Sequence, residues 1–396
     1  MKAAGVVAEF NPFHKGHLYL LQQIKANGAE AVVVAMSGCF VQRGEPAVLS
    51  TAARTQAALR GGADLVLELP LPWSMAGAQR FALGGVGMLD AVGVADTLCF
   101  GSECGDINLM KKVAALAADD EVLQLMKQYL AEGIPFAAAR EKAVCAFDPA
   151  CGAVLQNPND ILGVEYLNAL SALNSSLTPL CIKRVGVGHD MAADGTWASG
   201  SALREMLIKG DKISQYIPDF FEKILRNEMD QGRAPACISS AERAIISRMR
   251  TVTAAELREA PDVSEGLENR ILSAAQQASN LEELYALAKT KRFSHARIRR
   301  VVMSTFLGVA AGDGEGIPPY AAVLGFTENG QKLLREMKEK SRIPVLMKHG
   351  DAALLDERGR RIYDLQCRAA DQYALCLPQP APCGEYQRSN PVILKG

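Results

Sequence analysis

Apolar residues in the first hundred positions follow two alternating spacings. Short, largely apolar runs at 3–8, 31–36, 64–70 and 96–103 have the length of buried strands, the second of them rich in β-branched residues. Between them, apolar positions recur three and four apart over 18–24, 50–60 and 76–89, the spacing of helices packed on one face. Ser50 is placed to cap the second of these helices, and Gly61-Gly62 stops it. Strands alternating with helices predict right-handed crossovers and an α/β fold with a doubly wound parallel sheet, Rossmann-like in architecture.

From 107 to 147 the pattern is helical, interrupted by an acidic knot at Asp119-Asp120-Glu121. The turn Asn157-Pro158-Asn159-Asp160 opens a helix at 161–173, and 179–185 returns to strand. This first unit is expected to close near Ile217-Pro218, giving a domain of 1–218. A mainly helical region of 219–308 follows, carried by the helical period over 241–307. The glycine-rich stretch 308–319 then marks a boundary. A small C-terminal α/β region of 309–396 is expected beyond it, with strands at 320–326 and 343–347 around a helix at 332–340. Its tail past 375, with Pro378, Pro380 and Pro382, reads as extended.

At 396 residues, 49% hydrophobic and 22% charged, the chain can give each region its own core. A net charge of −1 argues against a protein that coats nucleic acid indiscriminately, while leaving room for a local basic patch. The ten cysteines are scattered with no C-x-x-C pair, so packing rather than metal ligation is expected of them. The N-terminus reads as a strand and lacks the pattern of a signal peptide. No apolar run approaches the ~20 residues of a membrane span. The expectation is a cytoplasmic protein with no membrane partner and an open oligomeric state.

Candidate chemistry concentrates at the first strand-to-helix turn, Glu9-Phe10-Asn11-Pro12-Phe13-His14-Lys15-Gly16-His17, which holds two of the five histidines. As a bare pattern it fits a proline-punctuated helix start with two surface histidines. Its position points further, because open α/β sheets bind ligands at such junctions and helix N-termini attract anions. Two more turns follow strand ends and would share the crevice: the loop carrying Gln42 and Arg43, and Phe100-Gly101-Ser102-Glu103. Imidazoles three residues apart beside helix amides are the donors that phosphoryl transfer from a nucleotide needs, and Gly16 lets a nucleotide approach the backbone. Ser199, Ser201 and Arg204 at a later turn offer hydroxyls and a guanidinium, with Ser201 read as an ordinary N-cap and Arg204 as solvated in the plainer alternative. Arg43 and Arg184 likewise have surface explanations. Separately, Lys289, Lys291, Arg292, Arg297, Arg299 and Arg300 put six basic residues within twelve positions. Read as one helix with Phe293 as a stacking platform, they suggest RNA phosphate binding, against the plainer reading of a solvated face.

These stretches together resemble the bacterial tRNA(Met) cytidine acetate ligase family, within the H-x-G-H nucleotidyltransferase superfamily. The resemblance rests on the 11–17 motif, Met36-Ser37-Gly38-x-Phe40-x-Gln42-Arg43-Gly44-Glu45-Pro46-Ala47, Asp64-Leu65-Val66-x-Glu68-Leu69-Pro70, Phe100-Gly101-Ser102-Glu103, Pro158-Asn159-x-Ile161-Leu162-Gly163 and the basic run at 291–300. It implies that acetate attacks the α-phosphate of ATP to give acetyl-adenylate and pyrophosphate. The wobble cytidine of elongator tRNA(Met) then takes the acetyl group and AMP leaves. It implies ATP contacts from Val7, Ala8, Glu9, Phe10, Asn11, Pro12, Phe13, His14, Lys15, Gly16, His17, Leu18, Tyr19 and Leu20, and from Gly101, Asn159 and Arg184. His14 and His17 are expected to be the catalytic pair, in an ATP-binding domain of 1–218, with 219–308 as the tRNA-binding region. Magnesium is expected to accompany ATP through phosphate oxygens and water, since no carboxylate cage is visible and no protein metal site is expected. The sequence departs from synthetases in lacking a Lys-Met-Ser-Lys-Ser motif, and Gln387-Arg388-Ser389-Asn390-Pro391 matches no family segment. A small-molecule adenylyltransferase and a non-catalytic RNA-binding module are the alternatives.

Overall fold

The computed structural model describes residues 1–185, 197–264, 266–291 and 293–395. Arg292, singled out above, and the turn at 186–190 after the 179–185 strand lie outside the described residues. The strands in chain order are β1 (Ala3–Ala8), β2 (Ala31–Ser37), β3 (Phe40–Val41), β4 (Glu45–Pro46), β5 (Leu65–Leu69), β6 (Thr97–Ser102), β7 (Thr178–Lys183), β8 (Ala321–Phe326), β9 (Val345–Leu346) and β10 (Val392–Ile393). Eight of them form one sheet, in the order β10-β8-β5-β2-β1-β6-β7 with β9 beside β8. β3 and β4 make a separate hairpin.

β1 lies between β2 and β6 with parallel neighbours on both sides. The chain moves outward from β1 through β2 to β5, then crosses back to place β6 and β7 on the other side. The order therefore reverses between β1 and β6, and a crevice opens there at the carboxyl ends of the strands. Residues of opposite parity along the strands feed opposite faces, as a period of two requires. Val33, Ala35, Leu65 and Leu67 pack with Phe81, Met110 and Val164 in one core. Val32, Val34, Met36 and Val66 pack with Leu21, Ala57 and Leu203 in the other. A third core lies within the helical region, around Ile245, Ile271, Leu284 and Val301.

The strand regions of the first half match the periodicity, and 107–147 resolves into three helices, Ile107–Ala117, Asp120–Ala131 and Phe136–Phe147. Asp119 caps the second by accepting the Glu121 N–H, so the acidic knot is a helix start. The C-terminal residues differ from the expected small region of their own. β8 pairs antiparallel with β5 and brings β9 and β10 into the main sheet. The tail is not purely extended either, since it forms the short helix Glu385–Arg388 and then β10. A helix that the pattern did not predict, Glu357–Tyr373, joins the regions. Its Ile362 and Tyr363 enter the first core while Leu365, Ala369 and Tyr373 enter the helical one. Gln366 on this helix accepts the Leu71 N–H at 3.0 Å and donates to Glu68 of β5 at 2.9 Å. Tyr386 also donates to Glu68, whose burial pushes its carboxyl up to about 7.

Candidate active site

The strand-to-helix turn after β1 is built by its two histidines. His14 is the N-cap of the helix Lys15–Ala26, in extended backbone, and its Nδ1 accepts the Gly16 N–H at 3.1 Å. His17, three residues on, accepts the His14 N–H on its own Nδ1 at 3.3 Å. This is a reciprocal capping box made from imidazoles, and it explains the spacing of three. It places the helix start at Lys15, earlier than the apolar period suggests. The rings stack with centroids 3.7 Å apart and planes inclined by 20°. Because Nδ1 is the acceptor in both, the neutral ring carries its proton on Nε2. Gly16 is required by this packing: a Cβ there would stand 2.9 Å from Cε1 of His14.

Burial, then the charges of Arg184 and Arg204, pull the His14 pKa down to about 3. Burial, then His14 and Arg184, hold His17 well below its ordinary value. The pair is therefore a set of neutral N–H donors at physiological pH. The linkage has a definite sign. Both native values lie below the unfolded one of ~6.5, so on acidification the unfolded chain binds protons first and stability falls. Full stability is expected above ~pH 6.5, with a progressive loss as pH drops towards about 3 for His14. Asparagine keeps a capping oxygen without the titration. His14→Asn should therefore lose less urea resistance than wild type between pH 7 and pH 5, and parallel losses would contradict the assignment.

The cleft at the switch point encloses about 210 Å³. Of the expected nucleotide segment, Val7, Ala8, Glu9, Phe10, Asn11, His14, Gly16, His17, Tyr19 and Leu20 line it. Pro12, Phe13, Lys15 and Leu18 are not on its wall. Phe13 is fully buried against Phe10, His17, Phe220 and Phe221, and Lys15 donates to the Gln215 carbonyl at 2.6 Å. Asn11 is 4% exposed, and its Oδ1 accepts the Val48 N–H at 2.8 Å. Its buried Nδ2 has no hydrogen-bond partner among the described residues.

Gly101, Asn159 and Arg184 join the same wall. Two carboxylates that the sequence reading did not single out hold them. Asp160, fully buried, accepts from Ser102 Oγ at 2.6 Å and from the Glu103 N–H at 2.9 Å, fixing the turn after β6. Glu103 accepts from Asn159 Nδ2 and lies 3.9 Å from Arg184 Nε. Gln42 lines the cleft, and its backbone N–H donates to Glu9 Oε1 at 2.9 Å. Arg43 sits in the β3–β4 turn, off the wall, with its charge acting on Glu9.

At the later turn the N-cap is Ser199, whose Oγ accepts the Ala202 N–H at 3.2 Å, rather than Ser201. Arg204 is not solvated: it lines the cleft, donates to the Asn11 carbonyl at 2.7 Å and to Ser201 Oγ at 3.2 Å. Neither serine is on the cleft wall. The deepest support is Arg54, fully buried, which donates to the carbonyls of Leu49 (3.1 Å), Glu9 (2.9 Å), Ser37 (2.8 Å) and Gly38. One guanidinium thus ties the ends of β1 and β2 to the loop that follows β2.

The basic run is not one helix. Ser294 caps a helix that begins only at His295, so Lys289, Lys291 and Phe293 belong to the connection before it. Phe293 is 4% exposed, a core residue with Arg297 over its ring, and not a stacking platform. Arg297 donates to the Asp262 carbonyl at 2.8 Å, Arg300 pairs with Asp262 at 2.9 Å, and Arg299 pairs with Glu45 of the hairpin. Lys289 and Lys291 are exposed. Arg297 and Arg300 thus brace the helical region, and Arg299 braces it against the loop that carries Gln42.

A family model described as HIGH Nucleotidyl Transferase matches residues 1–388, and the mainly parallel sheet with a histidine-lined crevice at its switch point fits that class. The tRNA(Met) cytidine acetate ligase of Acetivibrio thermocellus is 38% identical, with both chains covered in full. That of Thermoanaerobacter sp. is 39% identical over 88% of this chain and 89% of its own. Among solved structures, Thermotoga maritima TmcAL bound with alpha-thio ATP superposes with a TM-score of 0.92 at 31% identity, covering all of both chains. The chain belongs to the tRNA(Met) cytidine acetate ligase family.

Proposed function

We propose that the protein joins acetate to a cytidine of elongator tRNA(Met) at the expense of ATP, through an acetyl-adenylate. The observation that carries the reading is the stacked, neutral histidine pair on the wall of the switch-point cleft, flanked by Arg184, Arg204 and Asn11. Relatives bearing the ligase name over all of the chain, or 88% of it, supply the substrates.

When an acetate oxygen attacks the α-phosphorus, charge grows on the phosphoryl oxygens and on departing pyrophosphate. His14 and His17 donate through Nε2–H to those oxygens, with the helix N-terminal amides beside them. Arg184 and Arg204 balance the anionic charge, and the unpartnered amide of Asn11 adds a neutral donor. The amine nitrogen of the cytidine then attacks the acyl carbon, and AMP leaves. Magnesium, in this reading, rides on phosphate oxygens and water. Among the described residues no group of three or more His, Cys, Asp or Glu is placed to hold a metal ion. No helix in the described residues is long and apolar enough to cross a membrane. A tRNA substrate supports the reading of a cytoplasmic protein. Among the described members of the basic run, exposed Lys289 and Lys291 are best placed for RNA phosphates.

Incubation with ATP, labelled acetate and tRNA should give AMP, pyrophosphate and labelled N4-acetylcytidine. Formation of ADP, or a dinucleotide product without RNA labelling, would overturn the assignment.

A further inference from the structure

Glu9 is chemically out of place in a cleft for a polyanionic nucleotide. It stands at the exit of β1 and lines the same wall as His14 and His17. A carboxylate repels phosphate oxygens, so its natural partner is a hydrogen-bond donor or a group that sheds a proton. The fold also fixes its direction. Oε1 accepts the Gln42 N–H at 2.9 Å, and its backbone carbonyl accepts from the buried Arg54 at 2.9 Å. The next residue, Phe10, has φ of 47°, a left-handed backbone that bulky residues adopt only where the surroundings impose it.

Charged and titratable groups reach Glu9 from each packed element. Arg54 comes from the helix Thr51–Arg60, Arg43 from the hairpin, Arg204 from the helix Gly200–Lys209 and Tyr166 from the helix Pro158–Ala172. The neutral histidines share the wall. Burial outweighs the Gln42 hydrogen bond and the three guanidinium charges, and holds the carboxyl above its ordinary range. A general base works best with a pKa moved towards the operating pH.

We propose that Glu9 is the general base of the acyl-transfer half-reaction, taking a proton from the exocyclic amine of the RNA cytidine. The inference rests on the functional reading above. In this step a bond forms between the amine nitrogen and the acyl carbon of the adenylate, and the carbon–oxygen bond to the phosphate breaks. The released electron pair stays on the AMP oxygen. The amine proton passes to Glu9, which returns it to water after AMP leaves.

The test separates the two half-reactions by rapid mixing of enzyme-bound, chemically prepared acetyl-adenylate with tRNA. Glu9→Gln keeps an oxygen for the Gln42 N–H and removes the base. Acetyl transfer is expected to slow ~10²–10⁴-fold, far more than acetate-dependent pyrophosphate exchange. The transfer rate of wild type should rise with pH through a single ionisation that Glu9→Gln lacks. Glu9→Asp, a displaced carboxylate, should recover part of the rate together with that pH limb. Equal losses in both half-reactions, or an unchanged pH limb in Glu9→Gln, would assign Glu9 a structural role and overturn the proposal. A wild-type protein that holds acetyl-adenylate but never labels RNA would instead overturn the functional reading, and the inference with it.

Discussion

Replacing His17 with alanine is expected to slow acetyl-adenylate formation ~10²–10³-fold while changing KM for ATP far less. The reason lies in how the ring is held. Its Nδ1 is engaged by the His14 N–H and its face by the His14 ring, so the remaining Nε2–H is oriented before ATP arrives. Such a donor gains most where charge develops, in the transition state, and so acts on kcat rather than on uniform binding. Its low pKa matters here too, because a neutral donor keeps one fixed protonation state through the reaction. Acetate-dependent pyrophosphate exchange measures the effect directly. A large rise in KM with kcat within about tenfold would make His17 a ground-state contact instead.

Arg54→Met is expected to cost ~3–5 kcal/mol of stability and to abolish activity. Methionine fills much of the volume but leaves the carbonyls of Leu49, Glu9, Ser37 and Gly38 without their common donor in a dry interior. Two of those carbonyls belong to the turns that carry the site, so the loss of order is local as well as global. Urea unfolding of the variant, followed by far-UV circular dichroism, gives the cost. A loss under ~1 kcal/mol with normal nucleotide binding would show that the loops find other donors.

The histidine turn was legible because its chemistry and its place in the α/β alternation coincide. Arg54 was not, since an arginine in an alanine-rich helix resembles any solvated one. A signal was available: Arg54 lies three and four residues before Ala57 and Ala58, on the buried face that they define. Glu103 and Asp160 stood inside motifs whose neighbours drew the attention, and their roles depend on a contact across more than fifty residues of sequence. Ser294 was visible as a cap that splits the basic run, yet charge density alone suggested one continuous helix. Periodicity located the strand at 320–326 but carries no information on its partner, so its antiparallel addition beside β5 came from tertiary packing.

That addition has a consequence for the order of events during synthesis. The residues of the cleft wall all lie before position 205, yet β5, three strands into the sheet, is paired on its outer edge with residues 322–326. A nascent chain that has made the whole catalytic wall still offers an unpaired edge of Leu65, Val66 and Leu67, all destined for burial. Such an edge invites pairing with a neighbouring copy on the same polysome. Completion of the last quarter of the chain therefore protects the part that was made first.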